Sequence, residues 1–187
     1  EIFRSLQGES DSVGWPTIFV RLTGCPLRCV WCDTAYAFQG GGWMEIDAIV
    51  DRVSAFDTRH VCVTGGEPLA QRRCLELLRR LCDAGHRVSL ETSGALSVAE
   101  VDPRVVKVLD LKAPGSGEVE RNLWENLDYL QAHDQIKFVI ADRADFDWAV
   151  ARICEHDLGR WQVLISPVWE TLTPEKLADW LMASGIE

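Results

Sequence analysis

Two patterns of apolar residues alternate along this chain. Short aliphatic and β-branched runs recur at 17–23, 60–64, 87–92, 105–111, 135–141 and 162–166. Most are continuous rather than alternating, which suits parallel strands covered on both faces. Between them, helical spacing of apolar positions predicts helices near 45–56, 71–84, 120–132, 144–156 and 174–183. In the second of these, Cys74, Leu75, Leu78, Leu81 and Cys82 share one stripe that Gly85 ends. In the last, Thr173 is the expected N-cap and Pro174 the first helical residue. This order predicts an α/β fold of about six parallel βα units. A complete eightfold barrel takes roughly 250 residues, so 187 residues lead us to expect an incomplete, TIM-like barrel. Residues 1–187 are expected to form one domain with its own core. Repeats, low-complexity stretches and linkers are absent from the sequence, and Gly40-Gly41-Gly42 reads as a loop tip.

Composition narrows the function classes. Lys plus Arg number 19 against 29 Asp plus Glu, a net charge of −10, which excludes a phosphate-tracking nucleic-acid surface because such a surface needs clustered positive charge. No apolar stretch approaches a membrane span. The first residues carry neither an initiator Met nor a hydrophobic signal core, so the termini are expected to be trimmed and the protein cytoplasmic. Seven cysteines, three of them within eight residues, argue for metal or redox chemistry in a reducing compartment rather than a disulfide framework.

In a parallel sheet, functional residues gather at strand C-terminal ends and in the loops that follow. The unusual residues fall there: Cys25, Cys29 and Cys32 after the first strand, Gly65-Gly66-Glu67-Pro68 after the second, Ser93-Gly94 after the third, Lys112 after the fourth and Ser166-Pro167 after the sixth. Cys25-Pro-Leu-Arg-Cys29-Val-Trp-Cys32 has C-x3-C-x2-C spacing. Three thiolates on one tight loop can bind three irons of a cubane cluster, and with no fourth Cys nearby one iron stays open for a small molecule. The competing reading is a zinc site, which would need Asp33 or the distant His60 to complete it.

The triplet together with the GGEP turn resembles the radical S-adenosylmethionine (SAM) superfamily. The resemblance implies a 4Fe–4S cluster on Cys25, Cys29 and Cys32, with SAM chelating the open iron. An electron from the cluster would then cleave SAM to methionine and a radical that takes a hydrogen atom from substrate. It also implies that Gly66 lies beside the SAM amino group and that Trp31, Cys32 and Asp33 offer backbone contacts to the adenosine. By position, Asp110-Leu111-Lys112 and Ser166-Pro167-Val168-Trp169 correspond to further SAM-binding segments.

Three further features are more particular: Ser5-Leu6-Gln7-Gly8-Glu9, Phe19-Val20-Arg21-Leu22, and Cys32-Asp33-Thr34. With them the chain resembles the 7-carboxy-7-deazaguanine synthase family, from Glu1 to about Trp169. The implied reaction is contraction of 6-carboxy-5,6,7,8-tetrahydropterin to 7-carboxy-7-deazaguanine with release of ammonia, assisted by Mg²⁺, with SAM regenerated. A reducing partner such as flavodoxin and a homodimer are implied as well. The implied substrate contacts are Leu6, Gln7, Gly8 and Thr64. The chain closes at Glu187 directly after a helix, without the final strand and tail that the resemblance leads one to expect.

The chemistry of these residues can also be read directly. Strand alternation sets Ile18, Val20 and Leu22 on one face and Phe19 and Arg21 on the other. Arg21 would point inward, where its planar fork suits a carboxylate; a solvent-facing Arg on an edge strand is the alternative. Thr34 offers Mg²⁺ a neutral oxygen, or caps the next turn. Gly8 lets backbone approach a flat ring, and Gln7 presents an amide donor and acceptor. Glu91 is placed to accept or return protons, or else to pair with Arg87 or Lys112. Asp110 and Lys112 share a strand face, so a mutual ion pair competes with ligand binding. Cys62, Cys74, Cys82 and Cys154 read as small apolar residues, and some of the eight Trp are expected to cover the open barrel. Two other functions compete: a glycyl-radical activase, against which the Gln7-Gly8-Glu9 turn with Arg21 and Thr34 argues, and an iron–sulfur electron carrier, which a fourth cluster ligand would favour.

Overall fold

The computed structural model describes residues 1–186. One sheet runs in chain order through β1 (Ile2–Leu6), β2 (Pro16–Leu22), β3 (His60–Gly65), β4 (Arg87–Thr92), β5 (Val106–Leu111), β6 (Gln135–Ile140) and β7 (Gln162–Pro167). Strands β2 to β7 are parallel, as the continuous apolar runs predict. β1, which the sequence reading missed, joins antiparallel, with Ile2 opposite Val20 and Leu6 opposite Pro16. β1 and β7 are the two edges of the sheet, so the barrel is open between them.

Four α-helices cover the outer face: α1 (Ile46–Ser54), α2 (Cys74–Asp83), α3 (Arg143–Glu155) and α4 (Pro174–Ser184). Against them pack Ile18, Val20, Val61, Val63, Val88, Leu90, Leu109, Leu111, Ile136, Phe138 and Ile140, all in one buried cluster. Burial of each large aliphatic or aromatic side chain contributes about 1.5–3 kcal/mol. The α2 stripe is Cys74, Leu77, Leu78 and Leu81. Leu77 thus takes the place expected for Leu75, which with Cys82 only flanks the core. Thr173 caps α4 by accepting from the Lys176 amide, with Pro174 at its first turn.

The helix expected over 120–132 is not formed. The segment makes two 3-10 turns, Val119–Arg121 and Trp124–Tyr129. Its polar residues bond other loops instead of sustaining an α-helix. Asn126, fully buried, accepts from the Val98 amide and donates to Gly94 O and Leu96 O. Asn122 accepts from the Lys112 amide and donates to its carbonyl. No helix among the described residues is long and apolar enough to cross a membrane.

Alternate strand residues face the other way. The inner face carries Arg21, Thr64, Glu91, Asp110 and Lys137, each one or more residues out of phase with the core set. One charged pair lies on the apolar side: Lys107 Nζ is 2.8 Å from Asp134, both essentially inaccessible. Asp134 also accepts from the backbone amides of Lys107 and Gln131. Removing one member of a buried pair leaves an uncompensated charge, which costs about 3–5 kcal/mol. Asp134→Ala is therefore expected to lower the unfolding free energy by about that amount in urea denaturation, without moving the inner-face residues.

Candidate active site

The site forms where the loops after β2, β3, β4 and β5 meet. Cys25, Cys29 and Cys32 are free thiols on the loop after β2, all partly buried. Backbone bonds fasten this loop on several sides: Gly24 N to Ala37 O at 2.8 Å, Val30 N to Ser116 O at 3.0 Å and Glu67 N to Gly24 O at 2.7 Å. The double glycine after β3 makes the last contact possible. A Cβ on Gly66 would sit 2.4 Å from Gly24 O, and one on Gly65 would sit 2.2 Å from Leu22 O. Gly66 is thus pressed against the loop that carries Cys25.

Glu67, whose role the sequence reading left open, explains the rest of the GGEP turn. It is fully buried and accepts from Leu69 N (2.9 Å), Thr92 Oγ1 (3.0 Å), Ser93 N (2.7 Å) and Ser93 Oγ (2.5 Å). A buried carboxylate is tolerated only when so bonded, and these bonds tie the end of β3 to the end of β4. The Glu-Pro turn was visible in the sequence, but its Thr92-Ser93 partners lie 25 and 26 residues away.

Three thiolates are a soft donor set suited to iron–sulfur ligation. Burial raises the Cys25 and Cys29 pKa values, so both wait as thiols and lose their protons when a metal binds. Among the described residues, no three His, Cys, Asp or Glu side chains are posed to hold a metal ion as they stand. The zinc alternative loses His60, which sits at the start of β3, edge-on to Trp15 at 4.5 Å. That is the opposite end of the sheet from the thiols.

The second part of the site is the inner face of the sheet. Glu91 accepts from Thr64 Oγ1 (3.2 Å), Gln7 Nε2 (3.4 Å) and Cys62 Sγ (3.5 Å). It pairs with neither Arg87 nor Lys112. Burial raises its pKa, opposed mainly by the charge of Lys137. Gln7 is buried and also accepts from Glu9 N, which folds the 7–9 turn against Glu91. Leu6 and Gly8 stand exposed beside it. Cys62 is not an apolar filler: it is fully buried on this polar face, and burial beside Glu91 raises its pKa well above the ordinary thiol value.

Arg21 sits next to Thr64 across the β2–β3 pair. It is not on an edge strand, because β1 covers β2, and it lies between the rings of Phe3 and Tyr36 at 5.9 and 5.8 Å. Its Nε is 3.4 Å from the Glu1 carboxylate and is buried without a hydrogen bond. Asp110 and Lys112 form the expected ion pair at 2.9 Å, yet Asp110 Oδ1 remains buried and unpartnered. Thr34 donates to Asp33 at 2.7 Å and does not cap the following turn through its side chain.

The open side of the barrel is crossed by loop 7–14. Glu9 pairs with Lys137, and Asp11 N donates to Gln135 Oε1. A cavity of about 190 Å³ lies there, lined by Gly8, Glu9, Lys137 and Ser166 among others. Pro167 ends β7 and Val168 is buried just beyond it, whereas Trp169 projects into solvent at 86% exposure. A larger depression, about 430 Å³ by Leu130, Arg160 and Trp161, precedes β6 and β7 and so lies at the opposite end of the sheet.

Residues 19–110 match the model of the radical SAM superfamily. A 7-carboxy-7-deazaguanine synthase of Chlorobaculum tepidum is 46% identical over 186 residues, which cover 97% of this chain and 84% of that protein. Another protein of that name from Koribacter versatilis is 42% identical over 203 residues, covering 100% of this chain and 90% of its own. The crystal structure of QueE from Escherichia coli superposes with a TM-score of 0.79 at 23% identity, over 98% of this chain and 88% of that one. The open, mostly parallel barrel is thus the fold of that structure.

The raised pKa of Glu91 has a consequence for stability. The folded chain holds the Glu91 proton to higher pH than the unfolded chain, so this group's contribution to stability falls as pH rises from about 4.3 through the folded value. Glu91→Gln is therefore expected to raise Tm relative to wild type at pH 8, with the advantage closing near pH 4. A Tm difference that stays constant across that range would contradict the assignment.

Proposed function

The chain belongs to the 7-carboxy-7-deazaguanine synthase family, and from that premise we propose how its own residues divide the work of the reaction. It is a radical SAM lyase of 7-deazapurine biosynthesis, converting 6-carboxy-5,6,7,8-tetrahydropterin to 7-carboxy-7-deazaguanine with loss of ammonia. Relatives of this name that match almost the whole chain set aside the activase and electron-carrier alternatives. When bound, the 4Fe–4S cluster and SAM supply hydrogen-atom abstraction from the substrate.

Cys25, Cys29 and Cys32 would hold the cluster, which leaves one iron for SAM. Gly66, Trp31, Cys32 and Asp33 would border SAM on one side. Asp110, Leu111, Lys112 and the Ser166-Pro167-Val168-Trp169 segment would border it on the other. The unpartnered Asp110 Oδ1 is an acceptor suited to a bound hydroxyl or ammonium group. Burial is the largest influence on Lys112 and opposes its charge, but Asp110 and Cys29 together outweigh it and raise its pKa.

Arg21 binds the substrate carboxylate. Its Nε makes no hydrogen bond and only a 3.4 Å ion pair with Glu1, and two flanking rings bracket the guanidinium, whose planar fork suits a carboxylate. Leu6, Gln7, Gly8 and Thr64 contact the pterin. Thr34 offers a neutral oxygen to a Mg²⁺ that keeps waters and takes a substrate oxygen. Glu91, its pKa raised by burial, takes up and returns protons during ring contraction. The observation that carries this reading is Glu91 held by Gln7 and Thr64 on the same inner face as Arg21. Residues 1–187 act as one radical SAM domain. Seven cysteines, all free, support a reducing, cytoplasmic setting. A reducing partner such as flavodoxin supplies the electron, and exposed Trp15 and Trp169 favour a homodimer.

The test is anaerobic turnover of cluster-reconstituted protein with SAM, reductant, Mg²⁺ and the carboxypterin, followed by chromatography of the product. Cys29→Ala should abolish product, and Arg21→Ala should raise KM more than it lowers kcat. Glu91→Gln should lower kcat by roughly 10²–10⁴-fold, and full turnover by that variant would remove Glu91 from the mechanism. Release of 5′-deoxyadenosine without the deazaguanine would keep the radical chemistry and discard the substrate.

A further inference from the structure

We propose that Asp145, in the first turn of α3, is a positioning residue for the cysteine loop and acts through the loop after β5; this rests on the reading that Cys25, Cys29 and Cys32 hold a cluster. Asp145 is 2% exposed. The α3 helix does not need it as a cap, because Asp142 fills that place and accepts from the Asp145 amide at 3.0 Å. The Asp145 carboxylate turns away from its own helix. Oδ1 accepts from Gly115 N at 2.8 Å, and Oδ2 accepts from Ala141 N at 3.1 Å. Nothing larger than glycine fits opposite it: a Cβ at Gly115 would lie 2.6 Å from Oδ2.

Gly115 belongs to a turn whose next residues grip the cysteine loop. Ser116 is buried, donates from Oγ to Ala113 O at 2.6 Å, and accepts from the Val30 amide through its own carbonyl at 3.0 Å. Val30 stands between Cys29 and Cys32. Glu118 accepts from the Arg28 amide, just before Cys29. At Gly117, where φ is +77°, a Cβ would come within 3.5 Å of the Val30 side chain. The path is short: Asp145 holds Gly115, the Gly115 turn presents the Ser116 carbonyl and the Glu118 carboxylate, and these fix the backbone on both sides of Cys29. Without Asp145, the turn loses its side-chain anchor at Gly115, and the spacing of the thiols loosens while the sheet stays intact. Outer partners of metal ligands act in this way, and their loss costs roughly 10- to 100-fold in metal affinity.

The experiment uses the full chain, reconstituted anaerobically with iron and sulfide. It reads iron and sulfide per chain and the rate of cluster bleaching by a chelator, alongside circular dichroism. Asp145→Ala and Gly115→Ala are expected to bleach about 10-fold or more faster than wild type, at a temperature where both remain folded. Gly115→Ala disturbs the same contact from the loop side, so it decides the question if Asp145→Ala does not fold. Asp142→Ala removes the true helix cap and is expected to lower Tm while bleaching at the wild-type rate. Wild-type bleaching in both Asp145→Ala and Gly115→Ala would overturn the proposal. So would bleaching in Asp142→Ala as fast as in Asp145→Ala, because the role would then be helix stability alone. A wild-type chain that takes up no cluster would overturn this proposal together with the reading it rests on.

Discussion

The site depends on one close approach of backbone to backbone. Gly65 and Gly66 leave β3 so near to the turn at Leu22–Cys25 that neither could carry a side chain. The Glu67 amide closes the contact on Gly24 O, and the Glu67 carboxylate, fully buried, reaches across to Thr92 and Ser93. Two glycines and one carboxylate thereby lock together the ends of β2, β3 and β4. The thiol loop leaves from the first of these ends, Thr64 precedes the second, and Glu91 precedes the third. A buried carboxylate with fewer donors would cost more than it contributes, so the turn and its partners stand or fall together.

The sheet separates two kinds of chemistry by parity. Its outer face is aliphatic and packs on four helices, which is where most of the hydrophobic stabilisation lies. Its inner face carries Arg21, Glu91, Asp110 and Lys137, charges that a closed and filled barrel core would exclude. Being open, the barrel leaves room for loop 7–14 to come across and place Glu9 on Lys137 and Gln7 on Glu91. Burial opposes the charge of Lys137, yet Asp110, Glu9 and Glu91 together raise its pKa. In turn Lys137 tempers the rise that burial imposes on Glu91. The electrostatics of Glu91 are therefore set by groups from loop 7–14, β3 and β6.

Much of this was legible along the chain. Six of the seven strands, four helices, the thiol triplet and the GGEP turn all declare themselves through local signals: apolar periodicity, cap residues, and chemically unusual residues at strand ends. Alternation set Arg21 on the face opposite Ile18, Val20 and Leu22, and packing of that trio's face with the helices made Arg21's face the inner one. Local signals failed at 120–132, where Asn122 and Asn126 bond distant loops rather than their own turn. They failed again at β1, five residues long and half exposed, whose strand character comes from pairing with β2.

The sequence by itself determined the parallel α/β architecture, the three-cysteine loop and the soft thiol donors it carries, because each is written in neighbouring residues. Tertiary structure alone decided which groups face Glu91, what Glu67 is for, and that Asp145 reaches the loop after β5. Those bonds join residues 25, 30 and 84 positions apart. No local periodicity encodes them; they exist only because folding brings the ends of parallel strands to one side of the sheet.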